Sequence, residues 1–158
     1  MKDNNEKFIK EAIRLAAEGM RNDKGGPFGA IVVKEGKIIG RGNNRVTSTN
    51  DPTAHAEVIA IREACKNLGS FQLDGCEIYT SCEPCPMCLG AIYWARPSKI
   101  YYACTYKDAA DIGFDDALIY KEMKLPANKR KIPFIQLLRN EALRIFREWD
   151  EKEDKTIY

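Results

Sequence analysis

Two short stretches of the chain carry the side chains with the clearest chemistry, "TAHAEV" and, further along, "PCPMC". The first contains His55, the single histidine among 158 residues, and Glu57 two positions later. The second contains Cys85 and Cys88. Zinc binds imidazole nitrogen and thiolate sulfur, and a catalytic zinc has three protein ligands and an open fourth position for water. We therefore predict that His55, Cys85 and Cys88 bind one zinc ion.

The spacing of the two cysteines suits a metal at the start of a helix. Residues three apart on a helix share one face and rise about 4.5 Å, while two sulfurs on a tetrahedral zinc are roughly 4 Å apart. Pro86 fits the first helical position, so both sulfurs would lie where unpaired amides stabilise thiolates. Cys82 offers a competing Cys-x-x-Cys pair with Cys85, and a closed site with Cys82 as fourth ligand is the alternative. We expect Cys82 upstream, at the end of a strand.

Glu57 can work beside the metal only if its helix begins close by. Residues two apart in a regular helix point about 200° away from each other, so His55 and Glu57 face one point only near a helix start. Asp51, Pro52 and Thr53 are good start signals. Two thiolates would cancel the charge of zinc, so its water needs a nearby proton acceptor. Glu57 is the predicted acceptor, and the alternative is a surface glutamate beside a core histidine.

The elements that must position these residues follow from the pattern of apolar side chains. "FGAIVVKEGKIIGRG" predicts two strands joined by a tight turn at Glu35-Gly36. A second helix, after the histidine, should stop near Gly69. "CEIYT" and "KIYYAC" predict two more strands, with a helix between them that includes the cysteines. An earlier amphipathic helix is predicted from apolar residues at helical spacing, namely Phe8, Ile9, Ala12, Ile13, Ala16 and Met20.

The C-terminal part of the sequence contains one stretch whose secondary structure the pattern leaves open. "DDALIYKEM" predicts a short helix, while "IPFIQLL" fits either a strand or the start of a helix. Leu138, Ala142, Phe146 and Trp149 then favour a final amphipathic helix.

The alternation of strands and helices after an opening hairpin predicts an α/β layered domain with a mixed sheet. A length of 158 residues suits one such domain, residues 1–158.

Composition and charge limit the partners and the cellular compartment that the sequence predicts. The net charge of +2 predicts no broad basic surface, which argues against nucleic acid as a partner. The charged N-terminus lacks the apolar core of a signal peptide, and no segment is long enough to span a membrane. We therefore expect a cytoplasmic protein that does not bind membranes. In a reducing compartment the six cysteines favour metal or redox chemistry over disulfides.

The order His-x-Glu followed by Pro-Cys-x-x-Cys is the signature of the zinc nucleobase deaminases. Over nearly its whole length the sequence resembles the cytidine deaminase-like superfamily. Within it, "GGPFGAIVVK", "NDPTAHAEV", "YTSCEPCPMCLGAIYWARP" and "GFDDALIYKE" are similar to the small bacterial guanine deaminases. The resemblance implies a three-layer α/β/α domain of the cytidine deaminase type with one zinc ion per subunit.

The same resemblance implies a reaction. Guanine would be hydrolysed to xanthine and ammonia, with hydroxide on the zinc attacking C2 and Glu57 shuttling protons. Asp116 is implied as a second catalytic residue that relays a proton to the leaving amine. The residues implied to bind the substrate are Phe28, Asn44, Ala56, Trp94, Asp116 and Tyr158.

Most of these substrate contacts have a plain structural alternative. Phe28 could be a core residue, and Trp94 could pack a helix against the sheet. Asn44 could stabilise a turn through its own side chain. Asp116 suits the cap of a helix as well as a substrate contact. The role of Tyr158, the last residue, is implied by the resemblance alone.

The resemblance further implies a homodimer in which a C-terminal tail, about residues 128–158, is exchanged and helps cover the active site of the other copy. "KLPANKRKIP" could be an extended connector, and the apolar face of the helix after it needs a surface. The alternative is a tail that packs onto its own domain.

Two other functions compete with guanine deamination. A tRNA adenosine (A-to-I) deaminase shares "DPTAHAE" and a similar cysteine motif, but the acidic "EWDEKED" suits phosphate poorly and "GFDD" favours a free base. A non-catalytic zinc-binding module or a redox Cys-x-x-Cys protein would have four ligands, or thiols without a metal. Zinc is the metal that the predicted ligands favour, although iron can occupy similar sites.

Overall fold

A computed structural model describes residues 2–158 of the chain. The strands are β1 (Gly29–Lys34), β2 (Lys37–Asn43), β3 (Cys76–Cys82) and β4 (Lys99–Cys104). The α-helices are α1 (Lys2–Arg21), α2 (Val46–Thr49), α3 (Ala56–Leu68), α4 (Pro86–Ala95), α5 (Tyr106–Asp111), α6 (Ala117–Met123) and α7 (Arg139–Glu151), and a 3-10 helix covers Ala127–Lys129. The predicted hairpin, the two later strands and all five predicted helices are therefore confirmed.

The four strands form one mixed sheet in the order β2-β1-β3-β4. β1 pairs antiparallel with β2 and with β3, whereas β3 and β4 run parallel. The hairpin turn lies at Glu35 and Gly36, whose φ angles are 49° and 74°. Two positive φ angles in succession are the geometry of a two-residue turn that matches strand twist. The mixed sheet and the predicted turn are both confirmed.

Helices cover both faces of this sheet, because successive residues of β1 point in opposite directions. Ala30 and Val32 pack with residues of α3 and α4 in one buried cluster. Ile31 and Val33 lie in a second buried cluster with Phe8 of α1. α1 therefore forms one outer layer and the pair α3 and α4 forms the other. This is the predicted three-layer α/β/α arrangement.

Two short helices lie where the sequence predicted none, and both are fixed by local hydrogen bonds rather than by apolar periodicity. α5 begins with a capping box, in which Thr105 and Asp108 each bond the backbone N–H of the other. α2 lies in the polar loop after β2 and ends at Asn50, which is left-handed (φ 51°). The "IPFIQLL" stretch is neither strand nor helix up to Leu138, which precedes α7. Helices of four and six residues are too short to show a repeat of apolar side chains in the sequence.

By its contacts the chain divides into two compact units, Met1–Asp116 and Ala117–Tyr158. The first unit contains the sheet with α1 to α5, and the second contains α6, the 3-10 helix and α7. The single domain over residues 1–158 with a tail from about residue 128 remains a prediction. No helix in the described part, residues 2–158, has the length and apolarity needed to cross a membrane.

α3 lies unusually close to the sheet, because glycines of β2 face its backbone. A Cβ atom on Gly42 would be 2.0 Å from the carbonyl oxygen of Ala56, and one on Gly40 would be 2.3 Å from that of Ala60. Neither distance is compatible with a side chain. The absence of a side chain at these two positions therefore sets the height of α3, and of the residues at its start, above the sheet.

We predict that Gly42→Ala destabilises the protein by about 3 kcal/mol, since the new methyl group forces α3 away from β2. Gly90→Ala is the matched control. Gly90 lies within α4, where a Cβ atom would have no neighbour within 4 Å, so alanine there should stabilise the helix by about 0.5–1 kcal/mol. Urea unfolding of both variants measures the difference. Equal stability of Gly42→Ala and the parent would contradict the close approach.

Candidate active site

Two helix N-termini bring the three predicted ligands together. His55 immediately precedes α3 with extended backbone angles (φ −73°, ψ 154°). Cys85 immediately precedes α4 in the same conformation (φ −66°, ψ 168°), and Pro86 is the first helical residue as predicted. Cys88 lies within the first turn of α4 and is fully buried. Partial positive charge at both helix starts favours thiolate at this point.

The distances between the ligand atoms fit a zinc ion. Nδ1 of His55 lies 3.6 Å from Sγ of Cys85 and 3.5 Å from Sγ of Cys88. A tetrahedral zinc with ordinary Zn–N and Zn–S bonds places nitrogen and sulfur about 3.6 Å apart. All three ligand atoms lie within 4.8 Å of one another, as a group that could hold a metal ion requires. Nδ1 is the ring nitrogen that faces both sulfurs.

Cys82 is separate from this group. It ends β3, as predicted, and its thiol donates a hydrogen bond to the carbonyl oxygen of Thr105 at 3.5 Å. Within residues 2–158, the candidate metal group therefore consists of one imidazole and two thiols. Three ligands leave a fourth position for water, which is the arrangement of a catalytic zinc site rather than a closed structural one.

Contacts within the group change the acidity of its members in opposite directions. A hydrogen bond from the Cys88 thiol lowers the pKa of Cys85, and the same contact together with burial raises the pKa of Cys88. The hydrogen bond with Cys85 also raises the pKa of His55. Both cysteines bind metals as thiolates, so metal binding would remove the proton of Cys88.

Glu57 lies beside the sulfurs in a buried position, with only 6% of its surface exposed. It is the second residue of α3, and His55 lies just outside the helix, so both side chains can face one point. The Cys88 thiol donates to Oε2 of Glu57 at 3.5 Å, and burial raises the pKa of the carboxyl group. The prediction that the helix begins at these residues is confirmed.

Thr80 is a neighbour of Glu57 that the sequence analysis missed. It is 1% exposed on β3, and its hydroxyl has two acceptors within reach of its one proton, Oε1 of Glu57 at 3.4 Å and the carbonyl oxygen of Cys82 at 3.0 Å. The signal in the sequence was a polar residue inside a strand, "CEIYTSC", that is otherwise buried along most of its length. Threonine is so common in strands that this signal alone indicates nothing.

Asn44 is buried beyond the end of β2, and its side-chain orientation is fixed by the backbone. Its Oδ1 atom accepts hydrogen bonds from the N–H groups of Gly26 and Val46, both at 3.2 Å. The turn-stabilising alternative considered for Asn44 is therefore real. It does not exclude a substrate contact, since both bonds use the oxygen and leave the NH₂ group of the amide as a donor.

Phe28 lies at the start of β1, half-buried, and packs against the core cluster on the α3 side of the sheet. Its ring also meets Phe114 edge-on, with 4.9 Å between centroids and 89° between planes. The sequence analysis did not single out Phe114. Ala56, the first residue of α3, is fully buried next to His55.

The remaining predicted substrate contacts are Asp116, Trp94 and Tyr158. Asp116 is half-buried, and burial, followed by the negative charge of Cys85, raises its pKa. Asp116 therefore lies within electrostatic reach of the candidate metal group. Trp94 is near the end of α4 and 64% exposed, and Tyr158 is in the second unit and 67% exposed. The roles of Trp94 and Tyr158 stay predictions.

Comparison with known proteins agrees with this geometry. Residues 2–104 match the family described as the cytidine and deoxycytidylate deaminase zinc-binding region. A guanine deaminase of Bacillus subtilis (strain 168) is 58% identical over 155 residues, which are 98% of this chain and 99% of that protein. The X-ray structure of a guanine deaminase from Bacillus subtilis superposes with a TM-score of 0.94 at 58% identity, covering 97% of this chain and 98% of that one.

A tRNA-specific adenosine deaminase is similar over a shorter stretch. The enzyme of Aquifex aeolicus (strain VF5) is 46% identical over 102 residues, which are 65% of this chain and 67% of that protein. It is thus more distant than the Bacillus subtilis protein in identity and in coverage. This chain belongs to the cytidine deaminase-like family of zinc-binding deaminases, and its resemblance to bacterial guanine deaminases extends over nearly its whole length.

Proposed function

We propose that this chain catalyses the zinc-dependent hydrolysis of guanine to xanthine and ammonia. The observation that carries the proposal is the buried carboxyl group of Glu57, 3.5 Å from one thiol of a three-ligand metal group. Identity of 58% with a guanine deaminase over 98% of the chain supports guanine as the substrate. The similarity to tRNA deaminases is more distant, so we place RNA second.

The residues proposed to hold the metal are His55, through Nδ1, and the thiolates of Cys85 and Cys88. When bound, zinc supplies a Lewis acid that lowers the pKa of a coordinated water molecule. The two thiolates need a cytoplasm-like reducing environment to remain ligands, and all six cysteines of the chain are free thiols. We therefore also propose a cytoplasmic location.

Glu57 is proposed to move the protons of the reaction. Its position beside the metal ligands lets the carboxylate take a proton from the attacking water while the oxygen bonds to C2 of guanine. Burial favours the neutral acid, so the protonated carboxyl can then deliver that proton to the purine ring nitrogen. The proton of the new hydroxyl group then moves to the exocyclic amine, so that the C2–N bond breaks, ammonia leaves and the oxygen becomes a carbonyl oxygen of xanthine. We propose that Asp116 helps to carry this last proton.

The substrate is proposed to lie between Phe28 and the metal group, with its polar edge on Asn44. Because backbone N–H groups occupy Oδ1 of Asn44, its NH₂ group would donate to an acceptor atom of the purine. Asp116 would accept from guanine N–H groups. Ala56, Trp94 and Tyr158 complete the proposed set of substrate contacts.

We further propose that the protein is a homodimer in which the C-terminal segment is exchanged. α7 has no buried residue, and its apolar side chains are largely exposed, with Phe146 at 70% and Ile145 at 62%. The first unit exposes aromatic side chains of its own, with Tyr93 at 75%. Large exposed apolar surfaces on both units are typical of surfaces that associate. A tail that packs onto its own domain is the alternative.

We predict that the zinc-loaded chain releases xanthine and ammonia from guanine, and that Glu57→Gln lowers kcat by roughly 100- to 10,000-fold, because glutamine cannot carry the proton. Glu57→Gln should keep one zinc per chain, since Glu57 is not a ligand. The measurements are xanthine absorbance, ammonia release and metal analysis, with an anticodon stem-loop as the competing substrate.

Glu63→Gln is the control, because it makes the same substitution in the same helix at an exposed residue. It should leave turnover unchanged. Undiminished turnover of Glu57→Gln would remove Glu57 from the mechanism. Inosine formed in the stem-loop, without xanthine from guanine, would replace the proposed substrate by RNA.

We predict that Asn44→Asp lowers kcat/KM for guanine by roughly 100-fold, because a carboxylate oxygen replaces the donor that faces the purine. The remaining oxygen can still accept from Gly26 and Val46, so stability should change less than in Asn44→Ala, which loses both bonds. Steady-state kinetics and thermal unfolding of the two variants separate recognition from folding. Parent-like kcat/KM in Asn44→Asp would contradict the assignment.

We predict that two inactive chains restore activity when they form a mixed dimer. One carries Glu57→Gln with an intact tail, and the other is truncated after Ala127 with an intact Glu57. In an exchanged dimer, the tail of the first completes the site of the second, so tandem-tagged heterodimers should regain up to one site of activity per dimer. A heterodimer as inactive as its parents, or a fully active truncated chain, would contradict exchange.

A further inference from the structure

Glu57 is held by hydrogen bonds to both of its carboxyl oxygens. The Cys88 thiol donates to Oε2 at 3.5 Å, and the Thr80 hydroxyl donates to Oε1 at 3.4 Å. The two donors lie on different elements, Thr80 on β3 and Cys88 on α4.

Metal binding removes one of these two contacts. A cysteine binds zinc as a thiolate, which has no proton to donate. Cys88 as a ligand would therefore lose its hydrogen bond to Oε2 of Glu57 and leave that oxygen open toward the metal. The hydrogen bond from Thr80 to Oε1 does not depend on the metal and would remain. This step rests on the proposed function, in which Cys88 is a metal ligand.

Thr80 has the fixed position that such a role requires. It lies on β3, whose Thr80 pairs with Ala30 on one side and with Tyr102 on the other. The hydroxyl oxygen is also 3.0 Å from the carbonyl oxygen of Cys82, so its proton lies between two acceptors. A hydroxyl has one proton, and a carboxylate is a stronger acceptor than a carbonyl. An ionised Glu57 therefore attracts that proton.

We propose that Thr80 is a positioning residue of the deamination reaction, whose hydroxyl anchors Oε1 of Glu57 so that Oε2 stays directed at the metal group. The anchor lies on a central strand, and Glu57 extends from the first turn of a helix. Without it, the carboxyl group can rotate about its side chain, and the proton transfer loses its near-attack geometry. Thr80 itself does not touch the reacting atoms.

Thr80→Val tests this role, because valine keeps the volume and branching of threonine and removes only the hydroxyl. In the zinc-loaded enzyme we expect kcat for guanine to fall by roughly 10- to 100-fold, as for loss of a hydrogen bond to a charged group. KM should stay within about twofold and zinc content at one per chain, since the substrate and metal contacts are unchanged. Thr80→Ser, which restores the hydroxyl, should return most of the lost kcat.

Two further measurements distinguish positioning from general destabilisation. In a Glu57→Gln background, Thr80→Val should cause little additional loss of residual turnover, because Thr80 acts through Glu57. A crystal structure of zinc-loaded Thr80→Val should show the Glu57 carboxyl group turned from its place near Cys88, and that of Thr80→Ser should show it in place. The crystal structures read the position of Glu57 whether or not guanine is the substrate.

The inference is overturned if Thr80→Val keeps the parent kcat, if its Glu57 has not moved, or if serine fails to rescue. A parent enzyme inactive on guanine, with Glu57 displaced in Thr80→Val, would instead reject the proposed function and leave the positioning role standing. A variant that loses zinc or raises KM to the same extent as it lowers kcat would show a structural role and also overturn the inference.

Discussion

The convergence of two helix N-termini on one point is the constraint on which the site depends. His55 is the residue before α3, and Cys85 is the residue before α4. α3 is held against β2 by a backbone contact at Gly42, where a side chain would not fit. Because α4 follows β3 directly, the position of the central strands determines both helix starts.

The same constraint places the carboxyl group of Glu57 next to the cysteine sulfurs, and the proposed reaction depends on that proximity. The buried carboxyl group of Glu57 lies 3.5 Å from the sulfur of Cys88. Burial raises the pKa of Glu57, and the contact with Cys85 together with burial raises the pKa of Cys88. A divalent cation would offset this accumulation of negative charge, because both cysteines bind metals as thiolates. Burial also makes Glu57 a group that can hold a proton and release it, which a carboxylate in water does poorly at neutral pH.

Asn44 and Thr80 are two polar side chains whose orientation is fixed by the surrounding protein. The oxygen of Asn44 is used by two backbone N–H groups, so the amide can present only its donor to a ligand. Thr80, on a strand between two neighbours, presents a hydroxyl to Glu57. In both cases a rigid element fixes the polar group before any substrate arrives, which is how enzymes limit the cost of ordering the reacting groups.

The sequence by itself predicted the three residues of the candidate metal group, the layered α/β fold and most of the helices and strands, because these depend on residue type and on local period. His55 before a helix, Pro86 at a helix start and the hairpin turn at Glu35 are signals within a few residues. Apolar spacing did not indicate the two short helices, because α5 is defined by its capping box and α2 has only four residues. Only the tertiary structure decided that Thr80, 23 positions away, contacts Glu57. Such contacts depend on strand register and helix height, which no local stretch of sequence encodes.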